Sequence, residues 1–472
     1  MFASQKPNAP QEEAREVSLW RRISRGFAGF GVDHAVAYSL LARGWQFVAG
    51  PVTLVLIARY FSPELQGYFY TFASLMGLQI LFEMGLHSVV INTSSHEWSR
   101  LRWVPGQGLQ GDEQARQRLI SFGRQSLGWY AGASLFFLIV IGSSGWFFLD
   151  GRELSANDWV WQWVALVLLT AAQLWTMPLV SILEGCNQVL AVNRLRAGQA
   201  ILGNFVVWTV VVLGGGLWAV VGSAAVKLSC ELFLVAWTYR SFFAAFWERP
   251  NGSSISWRNE VWPLQWSLAL HSVLQYLAYF MFVPILFHFH GPIVAGQMGM
   301  TWTILTTMQY AAFSWVQTRA PKFGMLVARR EFAELDRVFV RAAGISCAVL
   351  FSGCVAFGLA VAVLPHVPHP WARGLSERLL PILPTLLFSG SVFLIGVFQC
   401  LVSYLLAHKR NPLLPVSVLG NLATIGGVVV AGAFYGAVGA GAALLVVLIC
   451  WTLPAAGWVW QSSRQAWQRD GL

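Results

Sequence analysis

Residues 55–70 read VLIARYFSPELQGYFY. An apolar run stops at Arg59, the chain turns at Ser62-Pro63, and apolar residues resume around Gly67. Proline disfavours a helical conformation in the residue before it, and glycine allows tight turns and close backbone approach. The stretch therefore predicts a helix end, a tight turn and the start of a second helix.

The same pattern occurs a second time, 229 residues further along the chain. ARYFSPELQGY at 58–68 aligns with FHFHGPIVAGQ at 287–297, with the identical pairs Pro63/Pro292 and Gly67/Gly296. At an offset of 217, residues 203–225 also align without gaps with residues 420–442, including the pairs Gly203/Gly420 and Asn204/Asn421. Because two alignments, at similar offsets, each match a segment of the first half with one of the second half, the sequence predicts a duplicated chain.

The composition indicates a membrane protein. Hydrophobic residues make up 56% of the chain, charged residues only 11%, and the mean hydropathy is +0.57. A helix needs about 20 apolar residues to span the hydrocarbon core. Twelve segments meet this length, namely 35–59, 66–91, 127–149, 159–183, 198–217, 219–246, 264–287, 296–318, 339–364, 382–406, 413–433 and 437–460.

Basic residues predict the orientation of these segments. Of the 31 lysines and arginines, 25 lie in the N-terminal arm, in alternate loops or in the tail. By the positive-inside rule these regions, and therefore both termini, are cytoplasmic. The net charge of +10 is then a topology signal, and we expect no nucleic-acid partner. Residues 1–33 are polar and basic, which predicts a cytoplasmic arm and not a secretory signal.

Twelve spans and the duplication together predict the fold class. We expect an all-α integral membrane protein of about twelve helices in two parallel six-helix repeats around a central cavity. The predicted parts are a cytoplasmic arm at 1–33, an N-lobe at 34–247, an inter-lobe linker at 248–263, a C-lobe at 264–460 and a tail at 461–472. Within this scheme, the proline-glycine stretch marks the outer hairpin of each lobe.

Polar residues within the spans are candidates for lining the cavity, because polar groups in a bilayer usually face protein or water. Helix one carries Ser39, Arg43, Gln46, Gly50 and Thr53 on one face, and helix seven carries Ser267, His271, Gln275 and Tyr279 at intervals of four. The predicted cavity residues are Arg43, Gln46, Arg59, Glu83, Lys227, His271, Gln275, Tyr279 and Tyr310. Glu83 is also the candidate for ion or proton coupling.

Structural explanations remain open for several of these residues. Arg59 could extend to the outer membrane interface, Glu83 could pair with Arg43, and His271 could be a hydrogen-bonded packing residue. Lys227 and Glu231 lie one helical turn apart and could neutralise each other.

Motifs for enzymatic group transfer are absent from the sequence. It contains no Walker A loop, no HEXXH, no GxSxG and no CxxC pair, so we expect a non-enzyme without metal or other cofactor. The loop RAPKFGMLVARREFAELDRVFVR at 319–341 mixes basic and apolar residues at helical spacing. It is expected to lie along the inner lipid surface, either as a topology anchor or as a binder of anionic headgroups.

Three stretches carry a resemblance to a known family: ARYFSPELQGYF, EGCNQVLAVNRLRAGQAILGN and RAPKFGMLVARREFAELDRVFVR. With them, residues 35–460 resemble the Wzx-type polysaccharide flippases of the MATE-like exporter superfamily. The resemblance implies transport of a polyprenyl-pyrophosphate-linked oligosaccharide, an O-antigen or exopolysaccharide repeat unit, across the bacterial inner membrane. It also implies ion- or proton-coupled alternating access, a cationic cavity in which Arg43 and Arg59 match common arginine positions, and a polysaccharide polymerase and assembly proteins as partners.

Two other functions remain alternatives at this point. A multidrug or cation exporter would share the architecture but would favour a carboxylate-lined cavity. A membrane polysaccharide polymerase or ligase would need larger extracytoplasmic loops than the longest one here, 364–381, which carries one carboxylate. The chain also lacks the extra helix pair of the lipid II flippases, which makes a peptidoglycan precursor a weaker expectation.

Overall fold

A computed structural model describes residues 34–104, 108–149, 154–247, 255–408 and 410–470. The helices of the N-terminal half are α1 His34–Tyr60, α2 Pro63–Met76, α3 Gln79–Glu83, α4 Leu86–Trp98, α5 Glu113–Leu149, α6 Ala156–Gly185, α7 Val189–Val212, α8 Trp218–Phe233 and α9 Arg240–Ala244. Those of the C-terminal half are α10 Trp262–Phe280, α11 Phe282–Gln317, α12 Ala320–Ala328, α13 Phe332–Val363, α14 Pro370–Arg378, α15 Ile382–Leu406, α16 Leu414–Val447 and α17 Leu453–Asp470.

Short elements complete the described chain. Strands β1 Leu101–Val104 and β2 Gly108–Gly111 form an antiparallel hairpin between α4 and α5. π-Helical turns occupy Leu234–Thr238, Trp257–Val261 and Leu448–Thr452. The predicted arm at 1–33 and the linker residues 248–254 lie outside the described residues.

The structure is an all-α membrane fold, as the sequence predicts. Eight helical stretches are long and apolar enough to cross a bilayer, and the bent pair Pro63–Glu83 and Leu86–Trp98 forms a further candidate. Two of the eight, 60 and 54 residues long, are each divided in two by a non-helical glycine. These glycines are Gly291 in α11, with φ 87°, and Gly436 in α16, with φ 60°, a region that glycine enters without steric cost. If α1 and the bent pair are each counted once and the two divided stretches twice, the described helices accommodate the twelve predicted spans.

Some helices extend well beyond the predicted apolar spans. Helix α5 begins at Glu113 and not at residue 127, and α17 continues to Asp470 and not to residue 460. Both extensions are polar, so hydropathy alone could not find them. The α17 extension is fixed by a 2.5 Å contact from Arg464 to Asp336 on α13 and by Trp467, whose ring centroid lies 4.4 Å from that of His408.

The helix contacts of the two halves correspond. Helix α1 packs on α7 in the first half, and α10 packs on α16 in the second. Likewise, α5 packs on α6, and α13 packs on α15. These recurring contacts agree with the duplication seen in the sequence, while the exact lobe boundaries stay a prediction.

The bundle has two ends. We call one of them the hairpin end, after the helical hairpin of α1 and α2; it contains the α1–α2 turn and the kink at Gly291. The other, the basic end, contains the two short strands β1 and β2, α12 and the last turns of α17. At the hairpin end the two halves share one hydrophobic core, in which the rings of Tyr68 and Phe287 meet edge to face at 5.0 Å. A second core lies at the basic end of the C-terminal half, around Phe339 and Tyr404.

Candidate functional site

The duplicated proline-glycine stretch closes the hairpin end. Helix α2 begins with Ser62 as N-cap, whose side chain accepts a bond from Leu65 N at 3.1 Å, and with Pro63 in its first turn. One turn later Gly67 lies directly against the carbonyl of Pro292. A Cβ at Gly296 would be 2.9 Å from the Gly67 nitrogen. The two equivalent glycines therefore let the halves touch backbone to backbone.

A hydrogen-bonded clasp surrounds this contact. The buried Gln66 donates from Nε2 to the carbonyl oxygens of Gly296, at 2.8 Å, and Arg378, at 3.1 Å. The Arg378 guanidinium donates to the Phe61 carbonyl and, at 3.4 Å, to Gln66 Oε1. Burial lowers the pKa of Arg378, and the nearby Glu64 and Glu377 act in the opposite direction. Helix α14, which ends at Arg378, thus bridges the two halves.

A cavity of about 640 Å³ lies at the other end of the C-terminal half. The described residues that line it come from α10, α11, α12, α15, α16 and the segment before α16. Those at its mouth, such as Gln317 and Asn411, are exposed at the basic end. The volume falls in the range of about 300–1,000 Å³ that is typical of ligand pockets.

Amides and hydroxyls give this cavity its polar character. The polar lining residues are His271, Gln275, Tyr279, Gln317, Gln399, Ser403, Asn411, Ser417 and Asn421, and no Asp, Glu, Lys or Arg occurs among its described lining residues. Two atoms in the wall, His271 Nδ1 and Gln399 Oε1, are buried without a hydrogen-bond partner among the described residues. Buried polar atoms normally have partners, so these two are free to bind a ligand or water.

The structure brings together three of the nine predicted cavity residues in this wall, namely His271, Gln275 and Tyr279. Five others, Gln46, Arg59, Glu83, Lys227 and Tyr310, are not among its described lining residues. Gln46, Arg59, Lys227 and Tyr310 are exposed on their helices, and Arg59 lies 5.9 Å from the ring of Tyr60. The side chain of Arg43 lies outside the described residues.

Several lining residues were missed by sequence reasoning, although a signal existed. Gln399 and Ser403 on α15, and Ser417 and Asn421 on α16, are each spaced by four and so share a helix face. The same spacing rule had selected the residues on helices one and seven.

Glu83 occupies a break in the second span of the N-terminal half. Helix α3 ends at Glu83, and Met84 and Gly85 follow in left-handed conformations with φ 51° and 68°. The span bends by 48° there. Glu83 Oε1 accepts a long bond of 3.3 Å from the backbone of His87, whose Nδ1 lies 2.6 Å from Ser181 Oγ. A carboxylate at a helix break within a span is a common element of ion-coupled transporters.

Glu231 on α8 has a different environment. Its oxygens accept bonds from Thr176 Oγ1 at 2.8 Å and Gln199 Nε2 at 3.1 Å. Lys227 is exposed, and among the described residues it makes no ion pair with Glu231 within 4.0 Å. The pairing considered from the sequence is therefore replaced by bonds to neighbouring helices.

The fold is that of known membrane transporters. An inward-facing multidrug resistance MATE family transporter of the MOP superfamily matches with a TM-score of 0.62 and 13% identity over 90% of this chain and 96% of that chain. The lipid II flippase MurJ in an inward closed conformation matches with a TM-score of 0.56 and 12% identity over 89% of this chain and 86% of that chain. The MATE multidrug transporter DinF-BH matches with a TM-score of 0.51 and 11% identity over 91% of this chain and 95% of that chain.

The chain has the fold of the MOP-superfamily transporters. No model of a known protein family matches the sequence. No curated protein matches it either.

Proposed function

We propose that the chain is a flippase for a polyprenyl-pyrophosphate-linked oligosaccharide, an O-antigen or exopolysaccharide repeat unit, driven by ion- or proton-coupled alternating access. The observation that carries the proposal is the chemistry of the cavity in the C-terminal half. Its polar groups are amides, hydroxyls and one imidazole, which pair with sugar hydroxyls as both donors and acceptors.

The same observation weighs against a cation exporter. An organic cation transferred into a cavity needs a compensating negative charge, because an unpaired charge is costly to desolvate. The described lining residues include no carboxylate. They include no lysine or arginine either, contrary to the cationic cavity that the resemblance implies, so we propose that this cavity holds the sugar part of the cargo and not its pyrophosphate. The fold itself does not discriminate, since it is shared by multidrug transporters and by a lipid II flippase.

The contacts at the two ends support an alternating-access cycle. The cavity is accessible at the basic end, whereas the hairpin end is closed by Gly67, Pro292 and the Arg378 clasp. We propose that the basic end is cytoplasmic and that the sugar enters the cavity there. Release on the other side then requires the clasp to break and the α2–α11 contact to part.

We further propose Glu83 as the coupling residue and Arg43 as the residue that attracts the anionic part of the cargo. Among the described side chains Glu83 makes no ion pair within 4.0 Å, and its carboxylate accepts one long bond from the backbone of His87 at the helix break. The protein would act in the bacterial inner membrane, supply a polysaccharide polymerase and catalyse no covalent reaction itself.

Proteoliposomes containing the full chain test the proposal. They are given a fluorescent polyprenyl-pyrophosphate oligosaccharide in one arm and a fluorescent organic cation in the other, each with and without a proton or sodium gradient. Saturable flipping of the glycolipid that unlabelled glycolipid inhibits, and the cation does not, is expected. Transport of the cation alone would reject the flippase in favour of an exporter.

A further inference from the structure

A second, smaller pocket lies on the outer surface of the C-terminal half. It has a volume of about 160 Å³ and is formed where α11 ends, α12 crosses and α13 begins. Its walls carry four cations, Arg319, Lys322, Arg337 and Arg341, and one carboxylate, Glu334. It shares no lining residue with the larger cavity.

The cations of this pocket are mostly uncompensated. Glu334 contacts Arg337 at 3.5 Å, and this is the only ion pair that the described side chains of the pocket make. Arg337 and Arg341 lie one turn apart on α13, which places them on one face. Arg319 and Lys322 face them from the α11–α12 junction. Such an arrangement is unfavourable by itself and becomes favourable when an anion binds between the cations.

The remaining walls of the pocket are apolar and continue toward the membrane. Trp315, Val338, Ala342 and Ile345 line it on the side that leads into the spans. Trp315 is 46% exposed and Ile345 38% exposed, on helices that span the bilayer. Tryptophan is enriched at the headgroup level of membranes, so the cations lie at the depth of lipid phosphates.

We propose that this pocket binds the phosphate of an anionic phospholipid, with the acyl chains lying along α11 and α13. A headgroup site needs cations at the interface beside an apolar groove, and basic pockets between transmembrane helices are known to hold such lipids. The apolar wall would not contribute to the binding of a small soluble anion. The inference does not depend on the identity of the transported cargo.

Native mass spectrometry of the purified full-length protein provides the test. The protein is exchanged into mixed micelles that contain phosphatidylglycerol or cardiolipin together with phosphatidylcholine. The wild type is expected to retain anionic lipid in preference to phosphatidylcholine. In the double variant Arg319→Gln/Arg341→Gln, retention of anionic lipid should fall on the order of tenfold, because each cation near the surface contributes to headgroup binding.

A matched control lies in the same loop. Arg329 and Arg330 are exposed at the α12–α13 turn and do not line the pocket, so Arg329→Gln/Arg330→Gln removes the same charge from the same region. This variant is expected to retain lipid as the wild type does. Equal loss in both variants, or no preference for anionic lipid in the wild type, would overturn the proposal.

A third arm separates bilayer lipid from cargo. Polyprenyl pyrophosphate offers the same phosphate chemistry and is added in competition with cardiolipin. Retention of cardiolipin in its presence is expected. If the pocket took only the polyprenyl lipid, it would belong to the transport route and the proposal would be wrong. Size-exclusion profiles that match the wild type confirm that the variants are folded.

Discussion

The two halves of the protein share a fold but differ in their charged residues. The charged residues of the N-terminal spans include Arg43, Glu83, Lys227 and Glu231, and one span is broken at Glu83. In the C-terminal half, the cavity lies among stretches that contain no Asp, Glu, Lys or Arg, namely 262–317, 342–372, 379–406 and 411–463. We propose that the duplicated scaffold assigns ion coupling to the N-terminal half and binding of the sugar part of the cargo to the C-terminal half, while Arg43 of the N-terminal half attracts the anionic part.

The largest expected effect comes from the contact that joins the two halves. Gly67→Leu would place a side chain into the Pro292 carbonyl, so the hairpin end could not close. We expect flipping in proteoliposomes to fall by about 100-fold, since overpacking costs up to about 3 kcal/mol. Gly132→Leu on α5, where a Cβ meets no atom within 4 Å, is the control and should transport normally. Normal flipping by the Gly67 variant would show that closure there is unnecessary.

The assignment of coupling to the N-terminal half is tested by replacing Glu83 and Glu231 in turn. Glu83→Gln is expected to leave downhill flipping intact and to remove its stimulation by a proton or sodium gradient. Glu231→Gln should keep that stimulation, because its carboxylate is engaged by Thr176 and Gln199. Flipping is measured at several gradient strengths. Full gradient dependence in the Glu83 variant would rule out its coupling role.

The assignment of cargo binding to the C-terminal half is tested by a pair of equivalent residues. Gln275 lines the cavity, whereas Gln46, which aligns with it at an offset of 229, does not. Gln275→Ala is expected to raise the half-saturating glycolipid concentration by about tenfold, as for the loss of one or two hydrogen bonds of about 1 kcal/mol each. Gln46→Ala should change it little. The reverse order of effects would move the cargo site into the N-terminal half.

The smallest of these effects is expected at the clasp. Arg378→Ala removes the guanidinium bonds to Phe61 and Gln66. The hairpin end should then open more often. Labelling of Thr71→Cys, placed in a chain whose six native cysteines are replaced, by an impermeant thiol reagent should rise about fivefold, in line with about 1 kcal/mol for a partly buried hydrogen bond. Arg373→Ala, exposed on the same short helix, serves as the control. Equal labelling of the two variants would remove Arg378 from the closed state.

The sequence predicts the spans well because bilayer thickness dictates their length. The predicted span 382–406 coincides with α15 Ile382–Leu406, and the turn at Pro63 lies where proline requires it. The polar start of α5 and the break at Met84 were not predictable, because hydropathy reports burial in lipid and methionine carries no signal for a left-handed conformation.

The position of the cavity was harder to predict than the helices. A helical stripe shows that residues share a face but not which neighbour that face meets. His271, Gln275 and Tyr279 face α15 and α16 across a space, whereas Thr53, on the equivalent stripe of α1, accepts a bond from Trp208 of α7 at 2.8 Å. One tryptophan thus occupies part of the face that lines a cavity in the other half.

The contact between Gly67 and Gly296 also gives the interface of the two halves a near-symmetric character. Because the two glycines hold equivalent positions in the repeats, their meeting is nearly that of one surface with its own copy, as in an isologous dimer. The patch is therefore self-complementary, which is the property that two separate six-helix chains would need in order to pair symmetrically. Joining the halves in one chain keeps this contact intramolecular.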